Sequence, residues 1–285
     1  MQPHDFQILG HTIGYHHKIA VESFDIGEVD FRTQDTPHPR ADRMLFGRDY
    51  TTPPVWTLEL ATNPRTFVEG VDALAELESA WLTTSRMRPG WYTWLRYERA
   101  GEVRKVAGRP RKWGRSHTKT FQHGVVRAVA EFQLMDTLSY TDETNVLRIT
   151  TVPGRVGGYT FPIIFPWGTR ATGGRRQGMI TINGTVPTPA TVVIHGPVTG
   201  PVVTGPGWRL SFPRLTLKHD QRVTIDPRAQ SVRRNDGASL VGWLEKFYFD
   251  RLTLKPGDQE ITFEGTDSSG TSWCEVRWSE AINGF

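Results

Sequence analysis

Cysteine is almost absent: Cys274 is the only one in 285 residues. An intramolecular disulfide is therefore impossible, and a cysteine-built zinc site is not expected. Hydrophobic residues make up only 37% of the chain, and no apolar run approaches the ~18 residues of a membrane-spanning helix. The first residues, MQPHDFQILGHTIG, have neither a basic n-region nor an apolar h-region, so no secretory signal is expected. Nucleotide signatures are missing as well. There is no G-x-x-x-x-G-K-[ST], and no G-x-G-x-x-G between a strand and a helix. Gly173-Gly174-Arg175-Arg176 looks suited to phosphate, but no helix follows to lend its dipole. The nucleophile elbow G-x-S-x-G is absent, and the nine histidines form no H-E-x-x-H. The adjacent pair His16-His17 would point to opposite faces of a strand, and His117 and His123 sit among cations. The expectation is no catalytic residue, no cofactor and no metal.

Glycine and proline are abundant instead, 28 and 19 residues, as suits a turn-rich β protein. Length alone suggests two domains. The net charge of +4 and the pI near 9.3 suggest nucleic-acid binding until the charges are located. Residues 20–80 carry twelve acids and five bases, whereas 86–127 carry twelve bases and two acids. Two readings stand: solvated faces, or a dipolar domain whose acidic side meets a neighbour's basic side. A head-to-tail contact of that kind closes into a ring when its rotation fits.

One segment reads as a helix. Thr66 and Glu69 make a capping box after Asn63-Pro64, and Val68, Val71, Leu74, Leu77 and Trp81 recur at helical spacing up to about Thr83–Ser85. Elsewhere the period is two: Trp56, Leu58 and Leu60 alternate with Val55, Thr57 and Glu59, and Ala128, Ala130, Phe132 and Leu134 with Arg127, Val129, Glu131 and Gln133. Strands also fit Phe6–Thr12, Phe24–Arg32 with Gly27 as a bulge, Trp91–Tyr97 and Val103–Ala107. Between 153 and 207, twenty of 55 residues are Gly or Pro, which reads as a linker, docked by the aromatic-proline run Phe161–Trp167, and then short strands. Asn183-Gly184 signals a hairpin turn. The last ninety residues, with strands over Trp208–Phe212, Leu215–Leu217, Arg222–Asp226, Ser231–Arg234, Phe247–Leu254, Gln259–Gly265 and one ending at Trp278, read as a β-sandwich.

The binding-type feature is the basic stretch 104–115. Its Arg104, Lys105, Arg109, Arg111, Lys112, Trp113 and Arg115 mix cations with one indole. Gly108, Pro110 and Gly114 rule out a groove-reading helix, so the stretch reads as an extended arm or hairpin tip against an acidic protein surface, with nucleic acid second. Of the ten tryptophans, Trp56, Trp81 and Trp278 lie in apolar registers. Trp113, Trp167 and Trp208 lie beside Pro or Gly, or in loops, and are read as interface or sugar-stacking rings. Glu264 and Asp267 are the best local carboxylate pair for glycoside hydrolysis, the weakest of the readings.

Several stretches together resemble a known family. Asp30-Phe31-Arg32, Asp35-Thr36-Pro37-His38-Pro39-Arg40-Ala41-Asp42, Phe46-Gly47-Arg48-Asp49-Tyr50 and Val55–Leu60 resemble the opening of siphophage distal tail (Dit) proteins. The likeness is closest to those of actinobacterial phages, to which Gly108-Arg109-Pro110-Arg111 is also similar. Leu252–Gly257, Ile261–Gly265 and Val276–Trp278 look like the family's last strands. The resemblance implies a mostly β fold in three parts. A β-sandwich belt domain with one α-helix spans 1–140, a Gly/Pro-rich linker spans 141–178, and a galectin-like β-sandwich spans 179–285. It also implies a non-enzymatic virion protein of the tail tip, assembled in the host cytoplasm. As a homohexamer ring it would join the tail tube protein to a tail-tip or tail-associated lysin protein, near the tape measure protein, and DNA would only pass through its lumen. The basic stretch is then expected to face a neighbouring subunit or ring. The alternative is a carbohydrate-binding β-sandwich that aids adhesion to the host surface.

Overall fold

The computed structural model describes residues 5–63, 67–99, 101–116, 125–150 and 176–285. The capping-box residue Thr66, the run 161–167, Gly173-Gly174-Arg175, His117 and His123 lie outside the described residues. The chain divides into two compact units, 1–142 with 282–285, and 143–281.

The first unit begins β1 (Phe6–Ile8), β2 (His11–Ile13) and β3 (Ile19–Asp25). Four short exposed strands follow: β4 (Asp30–Arg32), β5 (Thr36–Pro37), β6 (Met44–Leu45) and β7 (Tyr50–Thr52). After β8 (Val55–Thr62) come helix α1 (Phe67–Thr83), β9 (Thr93–Arg99), β10 (Glu102–Ser116), β11 (Arg127–Leu134) and β12 (Leu138–Thr141). The main sheet runs β2-β1-β9-β10-β11-β8-β3, and β12 pairs with β10. Alternation decides which face is buried. Trp56, Leu58 and Leu60 on β8 and Ala128, Ala130, Phe132 and Leu134 on β11 are all nearly inaccessible. Helix α1 covers them with Leu74, Leu77 and Trp81, whereas Val68, at the start of the sequence stripe, is exposed. Gly70 lets the helix approach, since a Cβ there would stand 3.1 Å from Thr62 and from the Lys18 carbonyl oxygen.

Two sequence expectations change here. Phe6–Thr12 is not one strand but a hairpin, because Leu9 and Gly10 both take positive φ (51° and 84°) and turn the chain between Ile8 and His11. Phe24–Arg32 is broken at Gly27, whose φ of 69° ends the ladder that β3 forms with β8.

The second unit contains β13 (Asn145–Thr150), β14 (Arg176–Ile182), β15 (Thr188–Pro189), β16 (Thr191–His195), β17 (Val198–Gly205) and β18 (Trp208–Ser211). Then follow β19 (Thr216–Leu217), β20 (Arg222–Asp226), β21 (Ser231–Arg234), β22 (Thr253–Leu254), β23 (Gly257–Thr266) and β24 (Trp273–Trp278). The last strand, β25 (Ala281–Asn283), belongs to the sheet of the first unit, where it pairs with β12. One sheet is β13-β24-β16-β20-β21, and the other is β14-β23-β17-β18 with β19 on β17. A single apolar cluster that includes Val192, Ile225 and Val276 from one sheet and Leu210, Ile261 and Phe263 from the other lies between them. This is a β-sandwich. Strand β13 belongs to it, although its residues fall within the stretch read as linker.

The Asn183-Gly184 hairpin is not formed. Strand β14 pairs with β23, and the Gly184 N–H donates to Glu280 Oε2 at 2.8 Å instead of closing a turn. Nor is Phe247–Leu254 a continuous strand, since a 3-10 turn at Phe249–Arg251 leaves only Thr253–Leu254 extended. At Gly257 a φ of 94° supplies the positive angle expected after Pro256.

Candidate functional site

The stretch read as an arm is the middle of a sheet. Strand β10 pairs with β9 on one edge, and on the other edge with β12 at 104–105 and β11 from Gly108 onward. Proline lacks the N–H a central strand needs. The ladder accommodates Pro110 with a bulge, which leaves Arg111 as the extra residue between Pro110 and Lys112.

Most of its cations have partners within the subunit. Lys105 is buried; its Nζ donates to the Asp142 carbonyl at 2.9 Å and lies 5.1 Å from the Trp94 ring centroid. Arg104 Nη2 meets Glu102 at 3.2 Å. Arg109 Nη2 donates to the carbonyls of Thr84 and Met87, 3.1 Å each, just past the end of α1. Those carbonyls carry the helix's negative pole, so Arg109 caps the helix. Lys112 reaches Glu131 at 2.8 Å, and Arg115 pairs with Glu78. Trp113 packs on the core, 5.6 Å from Trp81. Arg111 alone of the seven is exposed without a partner among the described residues. The acidic and basic segments also meet in cis at Arg127 and Glu22, which form a bidentate pair at 2.7 and 2.9 Å.

A different surface exposes apolar side chains, with Arg32 and Arg48 lying over only one of them, Tyr50. Residues 26–53 form a projecting ribbon in which β4 pairs with β7 and β5 with β6. It has no core of its own, yet Phe46 is 86% exposed and Phe31 65%, with Met44, Leu45 and Tyr50 also open. Two-stranded ribbons are marginal in water by themselves. Local contacts hold this one: His38 N–H donates to the Arg43 carbonyl at 2.9 Å, and Gly47 N–H to Asp35 Oδ1 at 3.0 Å. Scattered exposed apolars are ordinary, whereas these five lie within one short stretch. In the sequence Phe31, Phe46 and Tyr50 serve only as marks of the family resemblance, because alternation reports a buried face and says nothing of an exposed one. The cue present was the apolar triplet Met44-Leu45-Phe46 with no strand length to bury it.

In the second unit, Trp208 is buried and its Nε1–H donates to the Thr253 carbonyl at 3.1 Å. Trp273 is covered on both faces. The Arg148 guanidinium lies 3.7 Å from its ring centroid, and the His195 imidazole stacks at 3.5 Å from the flanking strand on the other side. Burial holds the His195 imidazole below its ordinary pKa; Glu275 opposes this, and Arg222, Arg277 and Arg148 add to it. Asp267 serves the turn after β23. Its Oδ1 accepts from the Ser269 N–H (2.8 Å) and hydroxyl (2.7 Å), and its Oδ2 from the Ser272 N–H (2.8 Å). Burial pushes that carboxyl up, but the Ser269 and Ser272 hydrogen bonds outweigh it and hold it well below the usual carboxylate range. An anion so held is no proton donor at neutral pH. Burial also pushes the Cys274 thiol up, so it is no thiolate nucleophile. His17 contacts the buried Asp5 at 3.3 Å, in the loop between β2 and β3 and not on a strand. Among the described residues no group of three His, Cys, Asp or Glu side chains is placed to hold a metal ion.

No protein-family model matches the sequence, and no curated protein matches it significantly. Solved structures do match in fold. The Dit protein (gp 19.1) of phage SPP1, described as a paradigm of the hub adsorption apparatus in phages infecting Gram-positive hosts, superposes with a TM-score of 0.53. It is 9% identical, over 97% of this chain and 98% of that one. A chain of the phage P2 baseplate in its activated conformation with calcium gives a TM-score of 0.56 at 12% identity, over 95% and 93%. A chain of the strontium-bound baseplate gives 0.52 at 13%, over 88% and 90%. Nearly end to end, the chain has the fold shared by the SPP1 Dit protein and a component of the phage P2 baseplate.

Proposed function

We propose that the protein is a structural, non-enzymatic hub of a phage tail tip. In this reading it forms a ring, of six copies, that joins the tail tube protein to a tail-tip or tail-associated lysin protein. The tape measure protein lies nearby, and the lumen lets DNA pass. The observation that carries the reading is the fold likeness to the SPP1 Dit hub over 97% of the chain. The uncovered ribbon at 26–53 supports it, because those apolar side chains need a second protein surface. We assign the ribbon to subunit contact, with Arg111, the unpaired residue of the β10 bulge, at the edge of the same assembly. The remaining members of the basic stretch, Arg104, Lys105, Arg109, Lys112, Trp113 and Arg115, support that contact by fixing the sheet.

Light scattering on the purified chain tests the reading. A particle of six 32.3 kDa chains, about 194 kDa, is expected. The double variant F31S/F46S is expected to give monomers with an unchanged melting temperature. A mass unaffected by that variant overturns the assignment of the ribbon.

A further inference from the structure

Among the described tryptophans of the second unit, Trp208 and Trp278 are buried and Trp273 is sandwiched between Arg148 and His195. Trp243 is different: it is 48% exposed, and its indole makes neither a ring contact nor a hydrogen bond. It lines a cleft of about 400 Å³ with Pro213, Arg214, Gly242, Leu244 and Glu245. Arg214 and Glu245 are both exposed and neither has an ion-pair partner among the described residues, although they border the same cleft. Backbone bonds hold both walls. Leu215 N–H donates to Phe212 O at 3.1 Å, Trp243 N–H to Leu240 O at 3.0 Å, and Glu245 N–H to Ser211 O at 3.0 Å. Leu244 packs against the sandwich core from beneath.

We infer that this cleft binds the end of a neutral saccharide. A bare indole offers an apolar platform for the C–H face of a sugar ring. The Arg214 fork supplies only donors and the Glu245 carboxylate only acceptors, so together they match hydroxyl groups, which are both. Their charges cancel, which disfavours an anionic ligand that a lone arginine would attract. The volume falls within the range of small-ligand sites, and fixed walls reduce the ordering cost of binding.

The test places the full-length chain on an array of neutral hexose and N-acetylhexosamine oligosaccharides beside sialylated and phosphorylated ones. W243A and R214Q/E245Q serve as variants, and melting temperature controls for folding. Retention of a neutral glycan is expected, with affinity about tenfold lower in W243A and lowered likewise in R214Q/E245Q. An array that retains no neutral glycan overturns the inference, as does equal retention by W243A. Retention of anionic glycans only overturns it too, since Glu245 would then oppose the ligand. If W243A instead changes the particle mass, the indole is a subunit contact and the saccharide site is refuted.

Discussion

Asp267 and His195 show how single titratable groups tie the stability of the second unit to pH. The Asp267 carboxyl is depressed in the folded state, so its stabilisation is present above the ordinary carboxylate pKa, about 4, and is lost as the pH falls through the folded value. D267N is expected to cost about 1–3 kcal/mol at pH 7, as for a buried group losing its hydrogen bonds. The difference from the parent should shrink as the pH is taken from 5 to 2 in urea titrations of the full chain. His195 is a base whose folded pKa is also depressed. The unfolded chain then takes up a proton first as pH falls below about 6.5, so stability present above that pH is lost on acidification. The melting temperature of the second unit should fall from pH 7 to pH 5, and H195Q should flatten that dependence while retaining a ring-sized group against Trp273.

Strand β10 carries two kinds of cation at the scale of the element. Arg109 fastens the end of α1 to the sheet through the Thr84 and Met87 carbonyls. R109A is expected to destabilise the first unit by about 1–2 kcal/mol, as for hydrogen bonds to a charged group, while leaving the particle mass intact. Arg111 has nothing to lose inside the subunit, so R111E should leave the melting temperature within a few tenths of a degree of the parent and act only on assembly. Melting and light scattering on the two variants separate these roles. Gly108 shows the tolerance of the same strand: a Cβ there would overlap the Phe132 ring and the Gln133 carbonyl. G108A is expected to destabilise by about 1–3 kcal/mol through overpacking, which denaturant titration reads directly.

The proposed ring should respond to salt in a way the sequence alone does not suggest. An acidic segment followed by a basic one suggests subunits held by charge. In the fold, Glu22 pairs with Arg127 and Glu78 with Arg115 inside one chain, and the open surface at 26–53 presents Phe31, Met44, Leu45 and Phe46 among acids and bases of nearly equal number. Apolar contacts are not screened by ions, whereas exposed charge pairs lose their attraction within a Debye length of about 3 Å at 1 M salt. Light scattering at 0.1 and 1 M NaCl is therefore expected to return the same mass. Dissociation at high salt would instead place charge at the ring contact.

Local physics is what the sequence determined by itself. Period-two burial on β8 and β11, the stripe that ends at Trp81, the short strands from Arg222 to Arg234 and the positive φ at Gly257 all depend on residues a few positions apart. Each of these was legible before any fold was known. Register across distant strands decided the rest. Arg115 and Glu78 lie 37 residues apart and Arg127 and Glu22 lie 105 apart, so no local pattern reveals that these charges neutralise each other. The same holds for Trp208, Trp273 and Trp243. Their neighbours in sequence are alike in Gly and Pro or in mixed polarity, and only the packing of two sheets decides which indole is buried, which is covered and which is left open. The ribbon at 26–53 is the clearest case, because only the folded subunit shows that Phe31, Met44, Leu45 and Phe46 stay exposed among the described residues.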